Sequence, residues 1–280
     1  MKAISASLVK ELREMTGLGM MECKNALAET GGDVQKAEEV LRIRSGAKAS
    51  KAASRVAAEG VIGAWLAPDA RLGALVELNC ETDFVAKNEA FLAFAGELAG
   101  LVAQSNPADV QALAALSVGG AGIEARRQAL VQKIGENISI RRFARLEASG
   151  RIALYIHGNR KTGVLVDFEG EDEVGKGIAM HVAFHKPVYL AKVDVTSDVI
   201  ARERAILAAR AKESGKPAEI AARMVEGGLN KFLGEITLTG QPFVMDDKQT
   251  VEKMLVARRA KVFGYRFLVV GAGIDKKTAD

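Results

Sequence analysis

The sequence contains few cysteines, histidines and aromatic residues, the side chains that often act as nucleophiles, metal ligands or stacking surfaces. Among its 280 residues are two cysteines, three histidines and one tryptophan, and aromatic residues make up only 5%. The two cysteines, Cys23 and Cys80, both lie in apolar stretches with helical or strand periodicity. Such positions are typical of buried free thiols in a reducing compartment. The cysteine content therefore predicts a cytoplasmic protein.

Long apolar runs and a strong charge of either sign are also missing. No apolar run reaches the length of a membrane span, and the N-terminus enters an amphipathic helical pattern at once, so we expect neither a span nor a signal peptide. Lys and Arg number 39 against 35 Asp and Glu, a net charge of +4. That excess is too small to indicate nucleic-acid binding by itself. The length of 280 residues is enough for two or three packed modules. The 49% share of hydrophobic residues is ordinary for a globular protein.

The residue patterns of an enzyme active site are missing as well. The glycine pairs at 120–122 and 271–273 imitate dinucleotide loops, but the first does not follow a predicted strand and the second leads into a charged tail. His181 and His185 stand four residues apart on a predicted helix, yet no glutamate follows His181 and no third ligand is indicated. A metal hydrolase at these histidines is an alternative that the absence of bound metal would exclude. We predict no catalytic residue, no metal ion and no cofactor.

What the chain does contain is an internal duplication. Residues 63–78 (GAWLAPDARLGALVEL) and 153–168 (ALYIHGNRKTGVLVDF) lie ninety residues apart and align without a gap. Each copy reads as a β-hairpin, with its tip at Pro68-Asp69 or Gly158-Asn159, followed by a helix. The period is longer than that of solenoid repeats. The sequence therefore predicts a duplicated subdomain.

The two copies differ after their second strands. The first continues ETDFV at 81–85, whereas the second reads EDEVG at 171–175 and has no aromatic residue. Thr82 and Asp83 are suited to cap and charge the start of a helix. The local sequence leaves two interpretations open: Phe84 packs inward beneath a helix cap, or it stands on a functional turn. Because the scaffold is shared and this turn is not, we favour a functional Asp83-Phe84 pair.

The order of predicted elements gives an α+β fold in three parts. Residues 1–55 form three short helices and a basic helical linker, residues 56–147 a first core subdomain, and residues 148–280 a second. A long antiparallel helical hairpin interrupts the second subdomain at 197–234. It has few neighbours to bury it except itself, so we expect it to project and to touch a partner.

Two stretches of the first part are candidate binding surfaces. Met20 and Met21 are consecutive and cannot both point into so thin a bundle, so one is expected at the surface, as a partner contact or as a partly solvated core edge. Residues 42–55 carry five basic side chains and no acid. This stretch is most simply a solvated helical linker. The alternative function for the whole protein is a basic RNA-associated or chaperone-like binder that acts through it.

Four motifs together resemble bacterial elongation factor Ts. They are TGLGMMECK at 16–24, NCETDFVAK at 79–87, GENISIRR at 135–142 and GQPFVM at 240–245. They span almost the whole chain in the order expected for the family, with small departures at Leu18 and at Phe184-His185. The resemblance implies a ubiquitin-associated-like N-terminal helical module, a two-part α+β core and a helical hairpin inserted in the second part.

The same resemblance implies guanine-nucleotide exchange on the translational GTPase elongation factor Tu, bound to GDP or free of nucleotide. The turn of Thr82, Asp83, Phe84 and Val85 would disturb the Mg²⁺ site of that partner, with Phe84 as a wedge. Further partner contacts are implied at Leu12, Arg13, Met20, Met21, Lys24, His157, Val244 and Met245. The resemblance implies neither a membrane nor direct nucleic-acid contact, and it leaves open a homodimer or a 2:2 complex.

Overall fold

The computed structural model describes residues 4–275, in which helices and antiparallel sheets alternate. The helices are α1 (Ala6–Thr16), α2 (Met20–Glu29), α3 (Val34–Ala52), α4 (Glu89–Ser105), α5 (Val110–Ala115), α6 (Ile123–Ile134), α7 (Asp172–His185), α8 (Ser197–Glu213), α9 (Ala218–Ile236) and α10 (Val251–Ala257). The strands are β1 (Glu59–Leu66), β2 (Leu72–Cys80), β3 (Ser117–Val118), β4 (Ala121–Gly122), β5 (Ser139–Glu147), β6 (Arg151–Ile156), β7 (Thr162–Glu169), β8 (Pro242–Phe243), β9 (Asp246–Thr250) and β10 (Lys261–Val269). The mixture confirms the α+β class. The predicted first part (1–55) and second core subdomain (148–280) include residues 1–3 and 276–280, which lie outside the described residues. None of the helices between residues 4 and 275 has the length and apolarity needed to cross a bilayer.

Helices α1 to α3 pack together at the N-terminal end, and local caps set their limits. Ser5 accepts a hydrogen bond from the Leu8 N–H at the start of α1, and Asp33 accepts one from the Lys36 N–H at the start of α3. Helix α1 ends at Gly17, whose φ of 67° suits a residue without a Cβ atom. The buried side chains of the three helices form one small core: Val9, Leu12, Leu18, Cys23, Ala26, Leu27, Ala37 and Leu41.

The second half of α3 corrects the expectation of a solvated linker. The helix runs without a break to Ala52, and Ser45, Ala49 and Ala52 are buried, with the two alanines in the core of the first half. This face packs against α6. The basic side chains lie on the outer flank, where Arg44 pairs with Glu29. The small residues between the basic ones let the helix approach closely, so α3 joins the N-terminal helices to the rest of the protein as a packed element.

Two three-stranded antiparallel sheets carry the duplicated hairpins, in the orders β1-β2-β5 and β10-β7-β6. In the first hairpin Trp65 lies opposite Ala74, and in the second Tyr155 lies opposite Val164. These are the residues that align in the sequence repeat. The strand register is therefore the same in both copies, which confirms the duplicated hairpins.

The hairpin tips repeat the same turn. Asp69 and Asn159 each accept a hydrogen bond at 3.0 Å from the backbone N–H two residues further on. The residue in between, Ala70 or Arg160, has a φ of 56° in both turns. Asp and Asn favour turns because their side chains bond in this way to their own backbone. The tip geometry is thus shared although none of these residues is identical.

The two sheets pack against each other through reciprocal contacts. The Ile62 N–H donates to the Arg160 carbonyl at 2.8 Å, and the Ile152 N–H donates to the Ala70 carbonyl at 2.7 Å. Each bond joins a strand of one half to the hairpin tip of the other, so the halves are related by an approximate twofold axis. The apolar layer between the sheets consists of Ile62, Leu75, Leu146, Ile152, Leu165 and Leu268.

Helices α8 and α9 form the predicted antiparallel helical hairpin. Gly215, with a φ of 65°, makes the corner, and Arg204 forms an ion pair with Glu226 across the two helices. Near its base, Leu229 and Leu233 are buried with Val195 in a small core. Within the described residues the two helices contact mainly each other, in agreement with the expected projection.

Candidate functional site

The connection from β2 to α4 differs in length from its counterpart in the second half. Eight residues, 81–88, separate the strand from the helix, whereas only two, 170–171, separate β7 from α7. The structure thus places an insertion where the two sequences diverge. The inserted segment folds into a turn and a short 3₁₀ helix at Val85–Lys87.

The long helix α4 is capped by Asn88 and not by Thr82. The Asn88 Oδ1 accepts hydrogen bonds from the N–H groups of Ala90 at 3.0 Å and Phe91 at 3.3 Å. Thr82 Oγ1 lies 3.4 Å from the Val85 N–H, at the start of the short 3₁₀ helix. The predicted cap therefore serves only the inserted turn, because the insertion contains a helical turn of its own.

Phe84 stands at the outer end of this turn, with 80% of its surface exposed. This position excludes the interpretation in which Phe84 packs inward. Val85 and Ala86 point the other way and are buried in the core of the first half. They anchor the turn from below, so the exposed surface of the predicted four-residue site comes mainly from Asp83 and Phe84.

A surface lysine joins the acid and the aromatic ring. The Lys87 Nζ lies 2.8 Å from Asp83 Oδ2 and 5.9 Å from the centroid of the Phe84 ring. The hydrogen bond from Lys87 lowers the pKa of the exposed Asp83 carboxyl below its ordinary value. At neutral pH the turn consequently presents a carboxylate beside a solvated aromatic face.

The base of the turn is held by Glu136, which the sequence interpretation did not identify as a site residue. Its Oε2 accepts hydrogen bonds at 3.0 Å from the backbone N–H groups of both Glu81 and Thr82. Its Oε1 accepts a third bond, at 2.6 Å, from the Thr82 hydroxyl. Glu136 is the second residue of the GENISIRR motif at 135–142. That motif is part of the family resemblance, but the resemblance implies no contact for Glu136.

The two cysteines are buried and free, as predicted. Cys80 ends β2, and its Sγ donates to the Thr82 carbonyl at 3.1 Å. Burial raises the pKa of the Cys80 thiol to about 12, so the sulfur stays protonated at neutral pH. Cys80 therefore supports the turn and does not supply a nucleophile.

A second candidate surface lies at the corner between α1 and α2. Met20 and Met21 are 60% and 61% exposed, so both side chains reach the surface, where one was expected. Arg13 and Lys24 are exposed on the flanking helices. Leu12 is completely buried in the core of the three N-terminal helices. This burial corrects the expectation for Leu12, whose side chain supports the corner from inside and offers no surface to a partner.

The α1–α2 corner and the Phe84 turn both border the C-terminal end of α6. The Lys133 Nζ, in the last turn of α6, lies 3.4 Å from the position that a Cβ atom on Gly17 would occupy. Glu136, which follows the same helix, binds Thr82 at the base of the turn. The end of α6 thus brings the two predicted surfaces to the same region of the molecule.

The remaining predicted contacts lie in the second half. His157 is exposed at the tip of the β6–β7 hairpin, with Nδ1 3.1 Å from the Tyr155 hydroxyl. It borders an open groove of about 440 Å³ that also touches α4, the helix that follows the Phe84 turn. Val244 and Met245 are exposed in the connection between β8 and β9.

The histidine pair on α7 has a structural environment. His181 Nδ1 accepts a hydrogen bond from the Val244 N–H at 3.1 Å, and Nε2 donates to Gln241 Oε1 at 2.9 Å. Its ring stacks on His185 at 4.5 Å, and burial lowers the pKa of His181 to about 4. Both nitrogens of His181 are occupied. Between residues 4 and 275, no group of three or more His, Cys, Asp or Glu side chains is arranged to hold a metal ion.

Comparison with known proteins identifies the family. The family model described as Elongation factor TS matches residues 81–272. The chain is 57% identical to elongation factor Ts of Azoarcus sp. (strain BH72) over 281 residues, which cover 100% of this chain and 95% of that protein. It is 56% identical to elongation factor Ts of Nitrosomonas eutropha over 282 residues, with 100% and 96% covered. For elongation factor Ts of Cupriavidus taiwanensis the identity is 57% over 280 residues, with 100% and 95% covered. The chain belongs to the elongation factor Ts family.

Proposed function

We propose that the protein accelerates GDP release from elongation factor Tu by inserting the Asp83-Phe84 turn near the Mg²⁺ and phosphates of that GTPase. Family membership supports the exchange role. The observation that carries the mechanism is Phe84, 80% exposed on a turn that is longer than its counterpart in the second half. An aromatic ring held in water on a short anchored turn is suited to fill a pocket on a partner.

The chemistry of the turn fits the chemistry of a bound nucleotide. GDP is held largely through its phosphates and the associated Mg²⁺, so displacement of the metal removes a charge bridge that protein groups do not replace. Asp83 brings a carboxylate to that region, and Phe84 brings a ring that separates side chains. The protein then needs no catalytic group and no nucleotide site of its own. Binding of the factor and of GDP must weaken each other equally, and a coupling of about 4 kcal/mol corresponds to roughly a thousandfold change in affinity.

The other exposed candidates complete the proposed interface. Arg13, Met20, Met21 and Lys24 would bind the nucleotide domain near the phosphates, with Leu12 as their support from within. Thioether side chains are adaptable and fit this use. In the second half, the contacts would come from His157, Val244 and Met245.

The N-terminal helices to residue 55 would act as a ubiquitin-associated-like docking module, and residues 56–147 and 148–280 as two core subdomains. The helical hairpin at 197–234 would reach a second surface of the GTPase or assist a homodimer or a 2:2 complex. The protein would act on the GDP-bound or nucleotide-free partner, in the cytoplasm, where translation takes place.

The decisive experiment is stopped-flow release of labelled GDP from elongation factor Tu, with and without this protein. Phe84→Ala is expected to lower the maximal release rate by about thirtyfold, the effect of losing an aromatic anchor of about 2 kcal/mol. The matched control is Phe184→Ala, because Phe184 is also a largely exposed phenylalanine, 73%, on α7 of the second half. Equal rates for the two variants would contradict the wedge.

The RNA-binding alternative receives less support from the geometry. Three of the five basic side chains between residues 42 and 55 already pair with acids of this chain: Arg44 with Glu29, Lys48 with Glu22, and Arg55 with Glu81. Steeply salt-dependent RNA binding that is lost on neutralising these residues would favour the alternative.

A further inference from the structure

We infer that Glu136 is a positioning residue for nucleotide exchange, which holds the Phe84 turn in the orientation that a partner meets. The inference rests on the proposed function and deepens it. Glu136 lies outside the turn, after α6, and reaches it through three hydrogen bonds from one carboxylate. These hydrogen bonds go to Glu81 and Thr82, below the exposed tip.

The three bonds fix the base of the turn. Two go to successive backbone N–H groups, of Glu81 and Thr82, and the third goes to the Thr82 hydroxyl. Bonds to an ionised carboxylate are shorter and stronger than bonds between neutral groups. Phe84 follows Thr82 by only two residues, so an orientation set at Thr82 is passed to the ring through a few backbone dihedral angles.

The three hydrogen bonds of Glu136 form a clamp that the other contacts of the turn do not replace. Val85 and Ala86 are buried and fix the far side, where the chain returns to the core. The Lys87–Asp83 pair is exposed at the surface, and exposed pairs of this kind stabilise little. On the near side, between β2 and the tip, Glu81 also binds the Asn137 N–H and Arg55, and the Thr82 carbonyl binds Cys80, but only the Glu136 carboxylate accepts from two successive backbone N–H groups there.

Glu136 is itself held in place by its neighbours. It follows Gly135, which ends α6 with a φ of 88°. The Arg55 guanidinium donates to the Gly135 carbonyl at 3.1 Å, and the Asn137 Nδ2 donates to the Arg55 carbonyl at 2.7 Å. The Asn137 N–H also donates to the Glu81 carboxylate. Residues on both sides of Glu136 are therefore anchored, and the carboxylate is oriented before any partner arrives.

The second half shows a different arrangement at the equivalent place. There the segment that precedes β10 meets the short β7–α7 connection through Arg258, whose guanidinium lies 3.4 Å from the Glu171 carboxylate. Glu171 is the sequence equivalent of Glu81 and is exposed. The three-bond clamp thus accompanies the turn that carries the aromatic residue, as expected if its role is to present that residue.

The clamp is expected to act on the release step more than on docking. An unclamped tip has to be ordered when it enters the GTPase, and this loss of conformational freedom raises the barrier to GDP release. The α1–α2 corner and the second-half contacts would still hold the partner. The maximal release rate should consequently fall, while the concentration of factor for half-maximal effect changes little.

The experiment measures GDP release from elongation factor Tu by stopped flow, over a range of factor concentrations, for the unmodified protein and three variants. Glu136→Ala is expected to lower the maximal rate about tenfold, a loss of about 1.4 kcal/mol, with a half-saturating concentration within about twofold. Glu136→Gln retains one oxygen acceptor and should lower the rate only about threefold. The matched control Glu171→Ala should leave both quantities unchanged.

A second measurement needs no partner. Amide hydrogen exchange of the free protein should show that Glu136→Ala releases the N–H groups of Glu81 and Thr82, while the amides of β2 keep their protection. If β2 also loses protection, Glu136→Gln takes the place of the alanine variant in both measurements.

The outcomes separate the two ideas. No acceleration by the unmodified protein would overturn the proposed function and this inference with it. Acceleration by the unmodified protein and an undiminished maximal rate in Glu136→Ala would overturn the inference alone. If the maximal rate is unchanged and the half-saturating concentration rises, Glu136 acts in docking, and the inference is likewise overturned.

Discussion

The two halves of the core share one scaffold and differ in the segments attached to it. Their hairpins share strand register, tip geometry and reciprocal contacts across an approximate twofold axis. Their connections from strand to helix differ, with eight residues in the first half and two in the second. The duplicated framework is therefore the common support, and the exposed acid-aromatic tip comes from a short insertion at one of two equivalent places.

The first prediction tests how closely each helix packs on its sheet. Gly63 and Ala153 are equivalent in the repeat, but a Cβ atom on Gly63 would lie 2.1 Å from the Ala95 carbonyl oxygen in α4. Gly63→Ala should therefore destabilise the protein by about 3 kcal/mol, because the obstacle is backbone and cannot rotate away. The reverse change in the other half, Ala153→Gly, should cost only about 1 kcal/mol.

Urea unfolding of the two variants and of the unmodified protein gives both numbers. A larger loss for Gly63→Ala would show that α4 packs too closely on β1 to accept a Cβ atom there. Equal losses would mean that α4 moves away at little cost, and the two halves would then not differ in how tightly a helix packs on its sheet.

The second prediction concerns a buried position that is apolar in one half and titratable in the other. Leu98 and His181 are each the tenth residue of their helix, α4 or α7, and both are completely buried. The pKa of His181 is lowered to about 4 by burial, below the 6.5 of an unperturbed histidine. The unfolded chain therefore binds more protons than the folded one between these values, so stability is complete above pH 6.5 and falls as the pH drops towards 4.

His181→Leu gives the second half the residue type of the first. Between pH 7 and pH 5 the unmodified protein should lose about 2 kcal/mol of unfolding free energy through this site, and the variant should not. At pH 7 the variant should be about 2 kcal/mol less stable, because Gln241 and the Val244 N–H each lose a hydrogen-bond partner. The check is the difference between the two urea-unfolding curves at each pH, with His185 intact in both proteins; parallel pH profiles would contradict the assignment.

The sequence predicted most of what is local. The duplicated hairpins, the helical hairpin and the divergence of the turn at Asp83-Phe84 follow from periodicity, turn residues and the comparison of the two copies, while the function of that turn stays a prediction. What it missed depends on contacts between distant segments. Glu136 lies 54 residues from Thr82 in the chain, and no local pattern joins them. The burial of Leu12 and the packed face of α3 likewise depend on which side of each helix meets its neighbours.

The third and smallest expected effect separates the exposed Lys87–Asp83 contact of the turn from the half-buried hydrogen bonds of Glu136. Lys87→Met removes the hydrogen bond to Asp83 and the cation over the Phe84 ring. The pKa of Asp83 should rise towards its ordinary value, because the hydrogen bond from Lys87 is the main cause of its lowering. NMR titration of the Asp83 carboxyl measures this shift. Since the pair is exposed, the unfolding midpoint should not change, and the maximal GDP-release rate should fall by no more than about threefold. A loss as large as that of Glu136→Ala would place the orientation of Phe84 under the control of the surface pair, and the tip would then be organised from the solvent side rather than from the end of α6.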